Sequence, residues 1–429
     1  MKIVQLATYF SVACSLMLSP AWAQNAQVNT DAIEPINVSS ASDSIGDKHS
    51  YDPEFVAVPF VFSTETLSTT IGGAGVLKHA GQAQASLLGI GLYSKNDSWV
   101  TFLGANNYQL PTLDSWLFSA EYYRASYKEG IYFIDEQNLP AHHEPSHQAA
   151  QRIVTQGEES YAKLHMKYVL PWGRGAHGAV ASLMPQTQAL SWNPLESGVT
   201  SIQITPFSET QELQSYEYLP SQSRGVKLKL DWDNRDNGKN STRGGRTSLT
   251  FTRDFGADDR QSWTTWEFEQ SAFFALGEND WFNNQIIALD FYIADTPTWN
   301  EQSDGEFHRP PSFSGITLGG FNYLRGYSGG RFFGRSALLY RGEYRMLPKW
   351  QPLQTLPVFN LYDIPWWQWT VFAEAGQVAD DFSMDELHKD MKWTLGAGVR
   401  FEVESVVVRT ELAVGEEGNQ FWVMVNQPF

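Results

Sequence analysis

The sequence predicts an all-β fold, a sixteen-stranded antiparallel transmembrane β-barrel, and three observations predict it. The chain begins with the pattern of a secretory signal peptide. After that segment, no apolar run reaches the roughly 18 residues that a transmembrane helix needs. From Tyr51 onward, short segments alternate apolar and polar residues with a period of two. That alternation is typical of strands that have one face in lipid and the other in a wet lumen.

The N-terminal segment determines the expected compartment. Lys2 supplies a positive charge, residues 3–18 are mostly apolar, and Ala21-Trp22-Ala23 forms a small-x-small cleavage site. We therefore expect the mature chain to start at Gln24. Cys14 is the only cysteine and lies in this segment, so the mature chain is expected to contain no disulfide. A lipid anchor on Cys14 is disfavoured because too few apolar residues precede it.

The same patterns divide the chain into a signal peptide (1–23), a disordered periplasmic linker (24–50) and an outer-membrane barrel (51–429). The linker is rich in Asn, Asp, Ser and Gln, a composition that cannot bury a core. Without Lys2 the 30 basic residues become 29 against 48 acidic ones, a formal charge of −19. This excess argues against nucleic-acid binding. It suits loops that face water, or divalent cations at a lipopolysaccharide surface, and solubility explains it equally well.

The predicted strands are defined by alternation and by the Gly, Asn, Asp and Pro residues that interrupt it. In residues 393–402 every odd position is apolar and every even position is polar or glycine. In residues 408–412 Arg409 and Glu411 share one face, opposite Val408 and Leu412. The count is even, as in bacterial outer-membrane barrels. The predicted strands are 68–77, 84–93, 98–107, 114–125, 159–170, 176–184, 197–206, 222–233, 245–254, 262–274, 283–294, 335–346, 368–378, 391–403, 405–415 and 419–429.

The last predicted strand resembles the C-terminal signal by which outer-membrane barrels are recognised for insertion. Its odd positions are apolar except for Gln427, and it ends on an aromatic residue. We expect it to close the barrel and to be recognised by the barrel assembly machinery. The residues expected to carry this role are Phe421, Val423, Val425 and Phe429.

Four motifs follow one another along the C-terminal half of the chain. They are residues 231–237 with Arg243-Gly244-Gly245, Gly319-Gly320-Phe321-Asn322-Tyr323-Leu324-Arg325-Gly326-Tyr327, Phe372-Ala373-Glu374-Ala375-Gly376, and Gly396-Ala397-Gly398-Val399-Arg400. In this order they resemble the motifs of the outer-membrane assembly-factor superfamily, which includes BamA/TamA-like factors, two-partner secretion transporters and bacterial surface antigens. The resemblance is clear over 222–429 and rests on strand pattern alone over 55–221. It implies a long loop, here 299–334, that folds back into the lumen and carries an Arg-Gly-aromatic triplet.

The triplet is the predicted structural lock of the lumen. An arginine inside a lumen must meet carboxylates because an unpaired buried charge is costly. On the predicted strands Glu343 and Glu374 point inward, so we expect both to bind the planar fork of Arg325. Gly326 is expected to permit a tight reversal and Tyr327 to pack against the wall. The alternative is that these are ordinary surface charges.

Other chemistry is sparse in this sequence. His142, His143 and His147 lie in one loop, where a solvated segment is favoured over a metal site. No nucleophile elbow, phosphate loop or dinucleotide motif occurs. His165 and His177 are the only loose candidates for a lipid-modifying enzyme. We therefore expect neither catalysis nor a cofactor.

Two functions are left open by the sequence. The resemblance implies an outer-membrane factor for protein or lipid translocation or insertion in a Gram-negative bacterium. Larger members carry periplasmic domains for which residues 24–50 leave no room, so the alternative is a passive pore or structural surface antigen. The expected partners are outer-membrane lipids, lipopolysaccharide and, during insertion, the assembly machinery. Both chain termini are expected to be periplasmic.

Overall fold

The computed structural model describes residues 52–64, 66–134, 150–184, 190–357, 359–403, 406–425 and 427–429. The predicted signal peptide, its Cys14 and the predicted linker lie outside the described residues. So do His142, His143 and His147. None of the helices in the described part of the chain has the length and apolar character needed to cross a bilayer.

The chain forms one antiparallel sheet of sixteen strands, which confirms the all-β prediction. Four two-residue strands pair outside this sheet, within the 296–335 loop, and one short helix, α1 (Met384–Leu387), precedes β18. The sheet strands are β1 (Glu54–Thr64), β2 (Ser68–Lys78), β3 (Ser86–Ser94), β4 (Trp99–Tyr108), β5 (Trp116–Ile134), β6 (Gln151–Val169), β7 (Val199–Leu213), β8 (Gln222–Asp233), β9 (Gly244–Asp254), β10 (Thr264–Ala275), β11 (Phe282–Asp295), β16 (Ser336–Pro348), β17 (Trp367–Ala379), β18 (Lys392–Val403), β19 (Val406–Gly415) and β20 (Gly418–Val425). The loop strands are β12 (Gln302–Ser303), β13 (Glu306–Phe307), β14 (Thr317–Leu318) and β15 (Phe332–Phe333).

Each strand of the sheet pairs with its neighbour in the sequence, and β11 pairs with β16 across the 296–335 loop. Because the strand number is even, β1 starts and β20 finishes at the same end, which we call the turn end. The 296–335 loop lies at the opposite end, which we call the loop end. β1 and β20 are the edge strands, and no ladder joins them in the described residues.

The side chains are distributed in the opposite way to those of a water-soluble protein. On β18, Trp393 and Leu395 are 41% and 56% exposed, whereas Thr394 and Arg400 are fully buried. The same alternation continues on β19, where Leu412 is exposed and Glu411 is buried. The polar face of the sheet is therefore its interior, and the apolar face is its outer surface.

Two strand predictions were wrong, although the total of sixteen was right. Residues 176–184 form no strand; they contain parts of two 3-10 helices, Gly173–His177 and Ala181–Leu183. Their apolar side chains instead pack with Leu117 and Val199 under the turn end. β1 was missed because residues 54–62 do not alternate and include Pro59. Proline lacks the donor that a central strand needs, and β1 is an edge strand where that donor is dispensable.

The strand predicted at 419–429 ends earlier than expected. β20 stops at Val425, and residues 427–429 leave the sheet. Pro428 cannot donate to a ladder, and its carbonyl oxygen instead accepts a hydrogen bond from Arg341 Nη1 at 3.1 Å. Phe429 therefore does not complete the strand as predicted; it packs on Phe273, whose ring centroid lies 6.2 Å away.

Candidate functional site in the lumen

The 296–335 loop packs against the polar face of the sheet instead of extending away from its end. Its central part is anchored by an apolar cluster in which Leu318, Leu324 and Tyr327 are almost completely buried. These side chains meet the inner faces of β11 and β16. The wall residues of the cluster are Tyr292, Ala294, Ala337 and Leu339.

Arg325 is fully buried at the tip of this packed segment and contacts three carboxylates. Its Nε atom lies 2.8 Å from Glu374 Oε1, and its backbone N–H donates to Glu374 Oε2 at 2.6 Å. Its Nη1 atom lies 2.9 Å from both Glu343 Oε1 and Glu411 Oε2. The guanidinium also stacks 3.5 Å from the ring centroid of Phe372. The sequence predicted the two partners Glu343 and Glu374, and the structure places both beside Arg325.

Three further arginines extend the cluster along β16, β18 and β19. Arg400 Nη2 lies 2.7 Å from Glu343 and 2.6 Å from Glu411 and so bridges the two. Arg345 contacts Glu343 at 2.7 Å and Arg409 contacts Glu411 at 3.0 Å. Four guanidiniums therefore share three carboxylates, and these side chains are closed to bulk solvent. We call this set, with Arg325, Glu343, Glu374 and Glu411, the arginine cluster.

Arg341 forms a second site beside the arginine cluster. Its Nη2 atom lies 2.6 Å from Asp290 and 2.5 Å from Glu269, and its Nη1 atom donates to the carbonyl oxygen of Asn322 at 2.7 Å. This contact ties the loop to β16 through a backbone atom. Without the loop, Arg341 Nη1 would keep the Pro428 carbonyl oxygen as its acceptor and would lose the Tyr323 ring, which lies 5.0 Å from its guanidinium.

Two glycines make room for the buried arginine. A Cβ atom on Gly326 would lie 2.8 Å from the Gly415 nitrogen, so the loop approaches β19 closely because no side chain is present. Gly326 was predicted to allow a reversal; in the structure it allows this approach, and its N–H donates to Thr394 Oγ1 at 3.1 Å. On β18, a Cβ on Gly396 would lie 2.2 Å from the Phe372 ring, which supports Arg325.

Tyr327 and Trp422 hold the two sides of the triplet. Tyr327 is 1% exposed and packs edge-on against Phe332, and its hydroxyl accepts from the Glu416 N–H at 3.2 Å. The indole Nε1 of Trp422 on β20 donates to the Arg325 carbonyl oxygen at 2.7 Å. The loop is thus bound to the last three strands of the sheet through both backbone and side chains.

The residues 427–429, which we call the tail, occupy the turn end of the same half of the lumen. Gln427 Oε1 accepts from Arg400 Nη1 at 2.6 Å. The Phe429 ring lies 4.7 Å from the Arg341 guanidinium and 5.5 Å from that of Arg345. Of the other residues predicted for insertion, Val423 is 58% exposed on the outer face and Phe421 is half-buried. The Val425 side chain lies outside the described part.

The N-terminal half of the lumen is hollow. A cavity of about 740 Å³ is lined by strands β5–β10, the loop and the tail. The loop reaches across it, since Ser314 donates to Glu209 on β7 at 2.9 Å. His165 faces this cavity and its Nε2 lies 3.4 Å from Glu121, so it does not lie on the outer wall, where a lipid-modifying enzyme would need it. In the described residues, no three metal-binding side chains are arranged to hold an ion.

Sequence reasoning missed the larger part of the arginine cluster, including Glu411, Arg345 and Arg409. The signal was present, because Arg409 and Glu411 share a face and Arg400 is the arginine of a glycine-rich motif. Period-two reasoning places each residue on a face but does not say which strands meet across the lumen. That meeting depends on the register of four strands and on the path of the loop.

The fold is similar to that of CdiB from Escherichia coli, with a TM-score of 0.53 and 13% sequence identity over 87% of this chain and 61% of CdiB. The chain thus spans about three fifths of the length of that protein. CdiB from Acinetobacter baumannii gives 0.49 at 12% identity (87% of this chain, 58% of that one), and BamA from Haemophilus ducreyi lacking POTRA domains 1–3 gives 0.48 at 12% (87% and 68%). At such identities the likeness to Escherichia coli CdiB shows a shared fold. No family model matches the sequence, and no curated protein matches it.

Proposed function

We propose that this chain is an outer-membrane barrel that translocates or inserts protein or lipid, like the factors that its motifs resemble. The observation that carries the proposal is the buried Arg325, held by Glu343, Glu374 and Glu411 in a barrel-type sheet with the fold of CdiB. A charged network of this kind fixes a loop inside the lumen. A loop fixed in this way favours the proposed function over that of a general pore.

The distribution of side chains supports a membrane location. A sheet that buries arginines and exposes tryptophan and leucine is stable only when its outer face meets lipid. We propose that both termini face the periplasm, that the 296–335 loop enters from the outside, and that lipids and lipopolysaccharide contact the outer face. Insertion would require the barrel assembly machinery, as for other barrels of this type.

We also propose that the sheet closes between β1 and β20. An unpaired strand edge in lipid leaves backbone groups unsatisfied at a cost of several kcal/mol each. β1 contains Pro59, so one of its two possible ladders lacks a donor at that position. We propose that this ladder is the β1–β20 seam, which would then be the weakest in the barrel and the place where a substrate strand or lipid passes.

The alternative is a passive pore or a structural surface antigen. The cavity of about 740 Å³ favours some solute access. However, the loop crosses that cavity from the arginine cluster to Glu209, and the tail occupies the turn end of the C-terminal half and borders the cavity there. A steady, open channel is difficult to reconcile with both obstructions.

The experiment uses the purified protein in liposomes with two measurements. The first is the rate at which a urea-unfolded eight-stranded outer-membrane barrel folds into those liposomes, followed by gel mobility. The second is single-channel current in a planar bilayer. We expect faster folding than in empty liposomes, with only brief, small currents. Arg325→Ala should release the loop and give larger currents, whereas Arg253→Ala, an exposed arginine outside the cluster, should not.

Heat-dependent gel mobility first shows whether each variant is folded. If Arg325→Ala does not fold, Arg325→Lys replaces it in the current measurement. A steady large current in the unaltered protein, with no acceleration of folding, would favour the passive pore. Equal currents from the Arg325 and Arg253 variants would contradict the role of the loop.

A further inference from the structure

The cavity wall formed by β6–β9 has an unexpected charge. Lys167 on β6 and Lys227 and Lys229 on β8 all line the cavity. The chain as a whole has a formal charge of −18 at pH 7. Three lysines on one inner wall are therefore unusual for such an acidic chain.

The strand register brings these lysines together. Lys167 lies directly opposite Gln203 on β7, and Gln203 lies opposite Lys229 on β8. Two strand spacings separate the Cα atoms of the two lysines by about 10 Å, within reach of two long side chains. Lys227 is two residues from Lys229 and so shares its face. We call these three residues the lysine wall.

The carboxylates that line the cavity contact groups other than Lys167 and Lys227. Lys229 Nζ lies 3.9 Å from Asp231 Oδ1, a long contact, because Arg246 holds the same oxygen at 2.8 Å. The remaining carboxylate contacts are Asp233 with Arg235 at 2.8 Å, Glu209 with Lys163 at 3.2 Å, Glu269 with Arg341 at 2.5 Å, Glu121 with His165 at 3.4 Å, Glu267 with the Tyr292 hydroxyl at 3.0 Å, Glu159 with the Gln211 amide at 3.2 Å, and Asp236 with the Thr242 hydroxyl at 2.5 Å.

Two members of the lysine wall have no such contact. Within the described residues, no carboxylate lies within 4.0 Å of the Lys167 or Lys227 ammonium group. The Lys227 ammonium instead lies 5.3 Å from the ring centroid of Phe207. Each ammonium group carries three hydrogen-bond donors. Lys167 and Lys227 therefore present donors to the cavity that are not taken by a carboxylate of the described residues.

We propose that the lysine wall binds a phosphate-bearing ligand in the lumen. Several point charges around a space lined by Gln203, Thr205 and Thr250 suit an oxyanion with two or more negative charges and several acceptor oxygens. Lys167 lies two residues from the last residue of β6, Val169, so the wall is near the turn end. The ligand enters from that end, which the loop does not cover. It is either a soluble phosphate compound or the headgroup of a phospholipid.

The test titrates inorganic pyrophosphate into the full-length protein, folded in an uncharged detergent, by calorimetry at low salt. We expect saturable binding. The variant Lys167→Gln/Lys229→Gln should weaken it by at least about tenfold. The control Lys95→Gln/Lys389→Gln removes the same charge from two exposed lysines and should leave it nearly unchanged. Lys227→Gln replaces the double variant if that protein does not fold, and should weaken binding to a smaller extent.

A second titration distinguishes the two sources of phosphate. Water-soluble dihexanoyl phosphatidylglycerol should compete with pyrophosphate if the natural ligand is a lipid headgroup, and dihexanoyl phosphatidylcholine, which has no net charge, should not. Pyrophosphate binding without lipid competition assigns the site to soluble phosphates. The absence of pyrophosphate binding, or equal losses in the wall and control variants, would overturn the proposal. None of these results depends on whether the chain translocates a substrate.

Discussion

Arginines and carboxylates on β16–β19 are sealed under the 296–335 loop, whereas lysines on β6 and β8 border an open cavity. Arg325, Arg345 and Arg400 are fully buried, and all their carboxylate partners lie within 3 Å. The side chain of Lys229 is 28% exposed and lies 3.9 Å from its carboxylate. The same face of one sheet therefore contains two kinds of charge.

The difference teaches what each half of the lumen is suited for. A dry ion pair has lost its hydration, so removal of one partner leaves an uncompensated charge and costs several kcal/mol. A wet charge keeps its hydration and exchanges partners at little cost. The C-terminal half is therefore suited to hold a loop in one place. The N-terminal half is suited to accept and release a ligand.

The largest expected effect comes from Glu411→Gln. Glu411 contacts Arg325, Arg400 and Arg409, so its neutralisation leaves four guanidiniums with two carboxylates. We expect a loss of about 3–5 kcal/mol in the free energy of unfolding. Urea unfolding of the detergent-folded protein, followed by tryptophan fluorescence, measures it.

The matched control for this variant is Glu416→Gln, five residues further along. Glu416 pairs with Lys392 at 2.9 Å, but both side chains are a third or more exposed. Its loss is expected to stay below about 1 kcal/mol. Similar losses of unfolding free energy in the two variants would contradict the distinction between buried and solvent-exposed charges.

A smaller effect is expected from Phe429→Ala, which tests whether the tail belongs to the dry half. Phe429 is half-buried, packs on Phe273 and contacts the guanidiniums of Arg341 and Arg345. We expect a loss of about 1–3 kcal/mol in the same unfolding measurement, less than for a fully buried ring.

The control for Phe429→Ala is Phe255→Ala, since Phe255 is 67% exposed in a loop. A separate measurement is the amount of each variant inserted into the outer membrane in cells. The sequence predicts that Phe429 belongs to the insertion signal and that its deletion impairs insertion. A variant with lower stability but normal insertion would limit Phe429 to packing in the lumen and contradict that prediction.

The positions of most strands were predictable from the sequence because alternation records which face each residue takes. β8 matches its prediction at 222–233, where Lys227, Lys229 and Asp231 alternate with apolar residues. β1 and the 176–184 segment failed for a common reason. Each contains apolar residues without alternation, and the sequence does not say whether such residues pack in a sheet or under a turn.

The arginine cluster was predictable in part. Arg325 was predicted from its motif, and Glu343 and Glu374 were predicted from the alternation of faces along their strands. A small error in the strand ends changes neither prediction. Glu411 required the register between β18 and β19, where Gly398 faces it and leaves it room. The path of the tail into the lumen depends on Pro428 and on contacts with three distant strands. No local pattern in the sequence records those contacts.

The smallest expected effect comes from Arg331→Ala, which removes an ion pair of the same loop at its exposed end. Arg331 holds Glu417 through two contacts at 2.7 and 2.8 Å, but the Glu417 side chain is 44% exposed. We expect a loss of about 0.2–1 kcal/mol, and the loss should shrink further as salt is added. A double-mutant cycle with Glu417→Ala isolates the pair from the hydrogen bond that Arg331 also donates to the Ala150 carbonyl oxygen. Trypsin should cleave the loop only slightly faster than in the unaltered protein, because the arginine cluster still holds Arg325. If the Arg331 pair proved worth as much as Glu411, the loop would be held from its exposed end, and burial would not explain its position.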